Sequence, residues 1–523
     1  MTERRDAASD DTGSEVGAPG SPVSARLRAA LRRRIGIDVR ALAAFRIALG
    51  AVLLADLALR ARNLTAFYTD SGVLPRSAVP EPYALGTRLS LHALSGEAWV
   101  VGPLFIVAGL AAIALAVGYR TRLAAAVSLV LLASLQARNP FVLNAGDTLL
   151  WQLLGAGLLC PIGARWSVDA VRRRGQGAAP GAHPPTERAR FAGPASALLL
   201  AVVIAVYVSN AVVKLRGEAW PAGEAVETVF RLTYLHGPLG GLVPENAALL
   251  AAAAYGWLGL LVASPLLVAS AGRVRAALAG VLVAAHLSMT LTLQIGVFSV
   301  ASATALLPFF PPFVWDRIES LAAPATERFR SAVEVRSAAE GLPAPPRSGS
   351  SFGDSLSDIV PAGATRGRAL AAVAAVLLVS ALAWNAVGLG VVAAPDPVAA
   401  VSDPGDSDWD MFAPSPPSTD SLVLATATTA DGDRIDALYG DPVAADRPLA
   451  DARGYPTARW RKHFSLLPPD DPDRVDATLA YLCDRAAGLS GAEIESVTVS
   501  SVEVDVSGSD EVRVREIGTR ECR

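Results

Sequence analysis

Two lysines stand among 44 arginines in the sequence, so a lysine marks a position where arginine is not equivalent. Lys214 ends an apolar stretch, in Asn210-Ala211-Val212-Val213-Lys214-Leu215. A lysine amine that is partly withdrawn from water has a lowered pKa and can act as a base, which a guanidinium cannot do. The alternative is an interfacial lysine whose amine extends to the lipid headgroups. The sequence leaves both interpretations of Lys214 open.

Asp147 opens another apolar stretch and follows Asn139, Asn144 and Gly146. An ionisable group at the end of a membrane helix is a candidate functional residue. A carboxylate there can equally serve as an N-cap, accepting hydrogen bonds from free backbone amides. The two roles are compatible, so Asn144 and Asp147 are candidate binding residues.

His286, Thr290 and Gln294 recur every four residues in a later apolar stretch, which predicts that they share one helix face. A polar stripe inside a bundle could bind a ligand or relay protons. A buried histidine that is satisfied by a neighbouring helix is the alternative. His286 is therefore a candidate binding residue with a structural alternative.

Arg46 and Asp56 lie inside the first apolar stretch, and Arg60 follows Asp56 by one helical turn. We expect structural ion pairing among these charges, because an unpaired charge inside a membrane is costly. Arg46 is also a candidate binding residue, since charged groups in membrane helices are often functional.

The composition that surrounds these residues is that of a membrane protein. Hydrophobic residues make up 52% of the chain and charged residues only 18%, with a mean hydropathy of +0.38. The net charge is −3, and no basic run interleaved with aromatics extends along a groove-sized stretch, so we expect lipids as partners and not nucleic acid. Cysteine pairs at zinc-finger spacing are absent, as are phosphate-binding glycine loops, so no metal is predicted.

Nine apolar stretches are long enough to be considered as membrane helices. They are Ala41–Leu59, Trp99–Val117, Leu123–Ala137, Leu149–Ile162, Ala195–Val213, Ala247–Ala269, Ala276–Leu293, Ile295–Phe310 and Ala369–Ala394. Three of them are shorter than the roughly 20 residues that a bilayer core requires. The sequence therefore predicts an all-α polytopic bundle of about seven to nine spans.

The distribution of arginines predicts the orientation. The cluster from Arg26 to Arg40 precedes the first span and should stay in the cytoplasm, and with nine spans the other arginine-rich loops are cytoplasmic too. We therefore expect a multi-pass protein of the cell membrane with a cytoplasmic N-terminus. The loops that then face outside contain the unusual residues: Arg60–Glu97, Arg138–Asp147 and Lys214–Asn246.

The chain divides into five parts. Residues 1–25 read as a disordered tail, 26–315 as the bundle, 316–368 as a cytoplasmic helix with a disordered linker, and 369–394 as the last span. Residues 395–523 hold 25 acidic against 12 basic side chains and read as a separate extracytoplasmic domain.

Alternating and helical patterns predict a small α+β fold for this acidic domain. We expect a hairpin around Asp431-Gly432, a helix at Asp473–Ala487 and two further strands at Glu493–Val506 and Glu511–Ile517. Pairing of Cys483 with Cys522 would join the last strand to the helix. The basic run Arg459–Phe464 could contact headgroups or an acidic substrate, but a solvated surface is the preferred interpretation.

Several segments together carry a resemblance to a known family. They are Arg46–Gly50, Phe67–Arg76, Arg138-Asn139-Pro140, Asn144–Asp147, Pro161–Asp169, Lys214-Leu215 with Trp220 and Gly223, Trp409–Pro414 and Arg459–Lys462. In these segments the chain resembles the horizontally transferred transmembrane (HTTM) family, which is related to vitamin K-dependent γ-carboxylase. The match runs from about Ala41 to Arg317 and continues into the acidic domain.

The resemblance implies a multi-pass bundle and, in the carboxylase branch, oxygenation of a reduced naphthoquinone that drives carboxylation of glutamyl residues. The catalytic lysine of that branch precedes Leu and then a Trp and a Gly, so Lys214 would be the base that deprotonates a menaquinol-like lipid quinol, and Trp220 would be a substrate-binding residue. Where the carboxylases have Asn-His, this chain has Asn139-Pro140. Carboxylation is therefore not expected to accompany membership.

Two other functions remain open from the sequence. A non-catalytic anchor could present the acidic domain to a surface partner, with Lys214 reaching the headgroups. A transporter could use Arg46, Asp147 and His286, although the internal repeats common in transporters are not evident.

Overall fold

The computed structural model describes residues 22–175, 190–324, 363–393, 411–444, 447–509 and 511–522. The predicted tail lies outside these residues except at 22–25, where the first helix begins. Of the predicted stretch 316–368, residues 325–362 lie outside them. The first residues of the predicted acidic domain, 395–410, do so as well.

Helices dominate the described residues. Before the acidic domain they are α1 Pro22–Ile35, α2 Val39–Ala61, α3 Leu64–Tyr68, α4 Glu81–Leu89, α5 Ala98–Val117, α6 Thr121–Arg138, α7 Ala145–Leu159, α8 Val168–Gly175, α9 Pro194–Arg216, α10 Ala219–Ala222, α11 Ala225–Arg231, α12 Ala247–Ala263, α13 Leu266–Ala269, α14 Gly272–Thr292, α15 Phe298–Leu306, α16 Pro312–Pro324 and α17 Gly363–Gly388. Short 3-10 helices lie at Arg76–Ala78, Leu91–Ala93, Pro140–Val142, Thr233–Leu235, Gly240–Leu242, Leu307–Phe309 and Leu449–Asp451.

Six helices in the described residues are long and apolar enough to cross a bilayer: α2, α5, α6, α9, α14 and α17. A seventh crossing results if Phe298–Phe309 and Pro312–Pro324, which meet at an angle of 105°, count as one span. In α17 only 6% of the most apolar window is buried inside the protein, so much of its hydrocarbon surface faces outward. Such a surface is stable in lipid and not in water, so the protein is membrane-embedded.

One end of the bundle, here called the basic end, brings together the starts of α2, α9 and α14 with α16. Arg40 at the start of α2 forms ion pairs with Asp316 at 2.8 Å and Glu319 at 3.0 Å. Arg275 near the start of α14 donates to the backbone carbonyl of Arg34 at 3.1 Å. A two-stranded sheet, β1 Ile37–Asp38 with β2 Arg190–Phe191, joins the approaches to α2 and α9.

The opposite end, here called the domain end, contacts the acidic domain. That domain contains β3 Thr419–Thr429, β4 Arg434–Asp436, helix α18 Ala458–Ser465, helix α19 Pro472–Ser490, β5 Ile494–Asp505 and β6 Val512–Glu521. The four strands form one antiparallel sheet in the order β4-β3-β5-β6. The small sheet domain is thus present, with the predicted hairpin, helix and strands in place.

Local chemistry explains the elements of this domain. Gly432 has φ +87°, which the tight turn between β3 and β4 requires and which a residue with a side chain rarely adopts. Asp471 caps α19 by accepting a hydrogen bond from the backbone of Arg474, and Gly491 ends that helix in the left-handed conformation. Cys483 of α19 and Cys522 after β6 form a disulfide, as predicted.

Candidate functional site

Helix α9 presents three polar side chains on one face toward the domain end. Tyr207, Asn210 and Lys214 are spaced by three and four residues, which aligns them along the helix. All three are buried, and the Lys214 side chain is only 1% exposed. A face with this spacing inside an otherwise apolar helix is the pattern of a site between helices.

The Lys214 amine contacts a backbone carbonyl and an aromatic ring outside its own helix. Its Nζ donates a hydrogen bond of 2.5 Å to the backbone carbonyl of Met411, a residue at the beginning of the described acidic domain. The same nitrogen lies 4.2 Å from the centroid of the Trp220 ring. A carbonyl oxygen and an aromatic face are both favourable neighbours for a lysine ammonium group.

Trp220 is fixed in turn by the local backbone. Its indole N–H donates to the carbonyl of Phe412 at 2.6 Å. The short helix α10 that contains it ends at Gly223, where φ is +82° and an added Cβ would lie 2.8 Å from the Tyr255 ring. These two conditions explain why position 223 is a glycine.

A cavity of about 320 Å³ lies beside the amine, between α9, α12 and α14. Most of its wall is hydrocarbon or aromatic, and its polar groups are few: Tyr207, Asn210, Lys214, His286, Ser288 and Thr292. Met411 and Phe412 close it on the side of the acidic domain. A mostly apolar cavity with a few placed polar groups is the usual form of a small-molecule site.

His286 belongs to this cavity. Its Nε2 lies 2.9 Å from the Tyr207 hydroxyl, and its ring stands edge-on to Trp257 at 5.4 Å between centroids. The Nδ1 atom has no hydrogen-bond partner among the described residues. The predicted stripe does not continue, because α14 ends at Thr292 and the Gln294 amide instead donates to Tyr455 of the acidic domain.

No protein-family model, curated protein or solved structure matches the chain. Within the described residues, no three His, Cys, Asp or Glu side chains come together at a spacing that would hold a metal ion.

Asn144 and Asp147 lie at the domain end but outside the Lys214 cavity. They form a capping box at the start of α7, in which Asn144 accepts from the Gly146 amide at 2.9 Å and the Asp147 carboxylate accepts from the Asn144 amide at 2.8 Å. The N-cap of α7 is thus Asn144 and not Asp147, which stands at the third helical position and completes the capping box.

Asp147 is also part of a buried four-charge cluster, defined by Asp56, Arg60, Asp147 and Arg459. Arg60 donates to Asp56 at 2.6 Å and to Asp147, while Arg459 donates to Asp56 at 2.7 Å and to Asp147 at 3.2 Å. Each side chain is at most 8% exposed. Two carboxylates and two guanidiniums balance, so the cluster is neutral as a whole.

The solvated interpretation of the basic run in the acidic domain is wrong. Helix α18 points Arg459 into the four-charge cluster and buries Trp460, His463 and Phe464. The indole of Trp460 also donates to the Asn63 side chain at 3.1 Å. The run therefore contacts the bundle and is not a solvated surface.

A larger cleft, of about 1230 Å³, separates the acidic domain from the bundle. Asn144 lies on its wall, as do Arg461 and Arg515. Four residues line both the cleft and the Lys214 cavity: Ile295, Phe298, Met411 and Phe412. A polar cleft and an apolar cavity are thus neighbours across the Met411-Phe412 segment.

Arg46 is remote from these features, at the basic end. Its guanidinium donates to the Leu115 carbonyl at 3.1 Å and to the Trp166 carbonyl at 2.5 Å. It therefore caps the end of α5 and does not pair with Asp56, whose partners are Arg60 and Arg459. Of the predicted site residues, the structure brings together Lys214, Trp220 and His286 and places Asn144, Asp147 and Arg46 elsewhere.

Sequence reasoning did not single out Tyr207 or Phe412. The spacing of Tyr207, Asn210 and Lys214 on one face was available as a signal. Phe412 gave no chemical signal, because its contribution is a backbone carbonyl that accepts from Trp220.

Proposed function

We propose that this protein is a membrane enzyme of the HTTM and γ-carboxylase-like family that binds a reduced lipid quinone in the Lys214 cavity and deprotonates it for reaction with oxygen. The observation that supports this proposal most directly is the buried Lys214 amine on the wall of an apolar cavity between helices. Family membership rests on the resemblance of the motif segments.

The cavity suits the ring of a lipid naphthoquinol. Its aromatic walls, including Trp257 and Phe298, match a flat apolar ring, and its polar groups are few enough to engage only the ring oxygens. A deprotonated quinol supplies electrons to oxygen much more readily than the neutral form. A base beside the ring is therefore the group that the reaction needs.

Lys214 would act as this base from its neutral form. Its Nζ accepts the proton of a ring hydroxyl, and the new ammonium donates to the Met411 carbonyl and faces the Trp220 ring. Phe412 holds Trp220 in that position through its carbonyl. The surrounding hydrocarbon keeps water from competing for the proton.

We do not extend the proposal to carboxylation. The family's histidine is replaced by Pro140, and the neighbouring Asn139 side chain is engaged in structure: it donates to the Phe67 carbonyl at 3.0 Å and accepts from the Phe141 amide at 3.1 Å. Incorporation of labelled carbon dioxide would show whether that step exists.

The proposed topology has nine crossings in the cell membrane, with the acidic domain outside. The shorter helices support it because their two ends contact opposite ends of the bundle. Helix α7 begins at the four-charge cluster and ends at Cys160, whose thiol lies 3.5 Å from the Ala195 carbonyl at the start of α9. After α15 the Phe309 ring faces Arg275 at the basic end, at 5.3 Å.

The test is oxygen uptake by the purified protein in nanodiscs with reduced menaquinone. The Lys214→Arg variant keeps a cation that can contact Met411 and Trp220 but removes the titratable base. We expect it to lose roughly 100-fold or more of the turnover, as removal of a general base does. Lys462→Arg, at the other lysine of the chain, is the matched control and should retain the wild-type rate. Equal turnover in wild type and Lys214→Arg would exclude Lys214 as the base.

The second candidate is a non-catalytic anchor for the acidic domain, and one observation favours it. The bond from Lys214 to Met411 also fastens the domain to the bundle. Under this hypothesis quinol is not consumed, Lys214→Arg is silent, and removal of residues 395–523 abolishes the binding function.

A further inference from the structure

The His286 ring is held in one orientation by its neighbours. The Tyr207 hydroxyl contacts Nε2 at 2.9 Å, and the rings of Trp257 and Phe298 stand edge-on at 5.4 Å and 6.0 Å. The side chain is 1% exposed. One edge of the imidazole is therefore engaged by the protein, and the ring has little freedom to turn.

The other edge is not engaged. Nδ1 is buried and has no hydrogen-bond partner among the described residues, and His286 forms part of the cavity wall. A buried polar atom without a partner lowers stability, and a ligand oxygen at hydrogen-bond distance would remove that cost.

We infer that His286 is a ligand-positioning residue whose Nδ1 forms a hydrogen bond with one oxygen of the cavity ligand, while Lys214 engages a second oxygen of the same ligand. The inference rests on the proposed function in taking that ligand to be an apolar ring with two oxygens at opposite positions. It assigns each oxygen its own partner in the protein.

The spacing of residues along α9 supports separate positions for the His286 ring and the Lys214 amine in the cavity wall. Tyr207, which orients His286, precedes Lys214 by seven residues, about 10 Å along the helix axis. The His286 ring and the Lys214 amine therefore lie at different levels along α9, as the two oxygens of such a ring would require. A compound with a single oxygen could form a hydrogen bond with only one of these two groups.

The hydrogen bond between Tyr207 and His286 can run in either direction. A neutral imidazole has one N–H and one acceptor nitrogen, and a tyrosine hydroxyl can both donate and accept. When Tyr207 donates to Nε2, Nδ1 carries hydrogen and can donate to a quinone carbonyl. When Nε2 donates to Tyr207, Nδ1 can accept from a quinol hydroxyl. The same two residues can thus hold the oxidised and the reduced ring.

Binding of the oxidised ring tests this inference without any turnover. The wild-type protein in nanodiscs is titrated with short-chain menaquinone and with two matched compounds, each lacking one ring oxygen. Quenching of the fluorescence of Trp220 and Trp257, which line the cavity, reports binding. We expect each lost oxygen to weaken binding roughly tenfold or more, as loss of a hydrogen bond to a buried polar group does.

The variants show which oxygen belongs to His286. The His286→Phe variant should bind menaquinone and one of the two matched compounds with equal affinity, and should still bind the other compound more weakly. His286→Gln should keep part of the wild-type preference for the oxygen that His286 contacts. Tyr207→Phe should weaken that preference. Thr290→Ala, one turn further along α14 and outside the cavity wall, is the control and should behave as wild type. A collapsed site would weaken all three compounds equally.

Two results would overturn the inference: wild-type protein that shows no saturable quenching by the quinone, or His286→Phe with the same affinity ratios as wild type. Failure of the proposed function is a separate outcome. Selective binding without oxygen uptake would retain His286 as a positioning residue and reject catalysis by Lys214. Oxygen uptake without His286-dependent selectivity would retain catalysis by Lys214 and reject His286 as a positioning residue.

Discussion

Arg459 of the acidic domain donates a hydrogen bond of 2.7 Å to Asp56 of α2, although 403 residues separate them in the sequence. The same guanidinium contacts Asp147 at the start of α7. Both carboxylates belong to the bundle, and Arg60 alone neutralises only one of their two negative charges. Arg459 of the acidic domain supplies the second positive charge. Docking of the domain is therefore an electrostatic requirement of the bundle itself.

Replacement of Arg459 by Ala should destabilise the protein by about 3–5 kcal/mol, because it leaves a buried carboxylate without its partner. We expect a lower midpoint of thermal unfolding in nanodiscs and faster proteolysis between the last span and the acidic domain. Arg513→Ala, at an exposed position of β6 outside the cluster, is the control and should unfold within about 0.5 kcal/mol of wild type.

A double variant distinguishes the contribution of the Arg459 charge from that of its packing. If buried charge is the cause, Arg459→Met combined with Asp147→Asn should be less destabilising than the sum of the two single changes, since it removes one charge of each sign. Strict additivity of the two changes would show that Arg459 stabilises the docked domain by packing and not through this carboxylate.

The sequence predicts much of this architecture because its signals are local. Apolar length identifies the membrane helices, and alternation with an Asp-Gly turn identifies the hairpin of the acidic domain. The docking of Arg459 is not local, since its partners are hundreds of residues away. No local signal identifies this contact, because in the sequence Arg46 and Arg60 already balance the charges of Asp56 and Asp147.

In the candidate site, too, the sequence identifies individual residues but not which of them come together. Lys214 is conspicuous by its rarity and His286 by its apolar surroundings, and the structure places both on one cavity wall. Arg46 is equally conspicuous, but it caps helix carbonyls at the far end, because a guanidinium can satisfy backbone groups as readily as a ligand. Residue type identifies a group that could do chemistry, and only the packing of helices decides which groups meet.

Gly217 keeps the segment after Met411 close to the end of α9. A Cβ at this position would overlap the Pro414 carbonyl oxygen, so Gly217→Val should displace the segment and break the bond from Lys214 to Met411. Because the chain has only two lysines, mass spectrometry of amine acetylation reads this change directly. We expect Lys214 to be protected in wild type and to react several-fold faster in the variant, with Lys462 as the internal reference.

Gly259→Ala is the matched control for this change. Its added Cβ meets open space, and it lies in α12 away from the segment, so the protection of Lys214 should persist. An unchanged acetylation rate at Lys214 in Gly217→Val would mean that Met411 does not shield the amine.

His463 predicts a pH dependence of stability in the acidic domain. Burial, assisted by the nearby Arg474 charge, lowers the pKa of His463 to about 3, below its ordinary value of 6.5. Between these values the unfolded chain binds a proton that the folded one does not, so stability is full above pH 6.5 and falls as the pH decreases. From pH 7 to pH 5 this linkage amounts to about 2 kcal/mol.

Comparison with His463→Gln isolates this contribution. The variant removes the titrating group while its amide can still contact Thr478, which lies 3.0 Å from the His463 ring. Thermal unfolding at pH 7 and pH 5 should therefore show a smaller loss for the variant than for wild type. The same loss in both proteins would assign the pH dependence to other groups.

The proposed orientation can be read from single cysteines, because the natural cysteines give no background: Cys160 is buried and the other two are joined. Asp431 in the β3–β4 turn and Arg273 at the basic end are both exposed, so each can be replaced by Cys. We expect a membrane-impermeant maleimide to label Asp431→Cys in intact cells and Arg273→Cys only after lysis, since arginine-rich ends are retained in the cytoplasm. Labelling of Arg273→Cys alone in intact cells would invert the topology, and the Lys214 cavity would then lie near the inner leaflet and take its ligand from there.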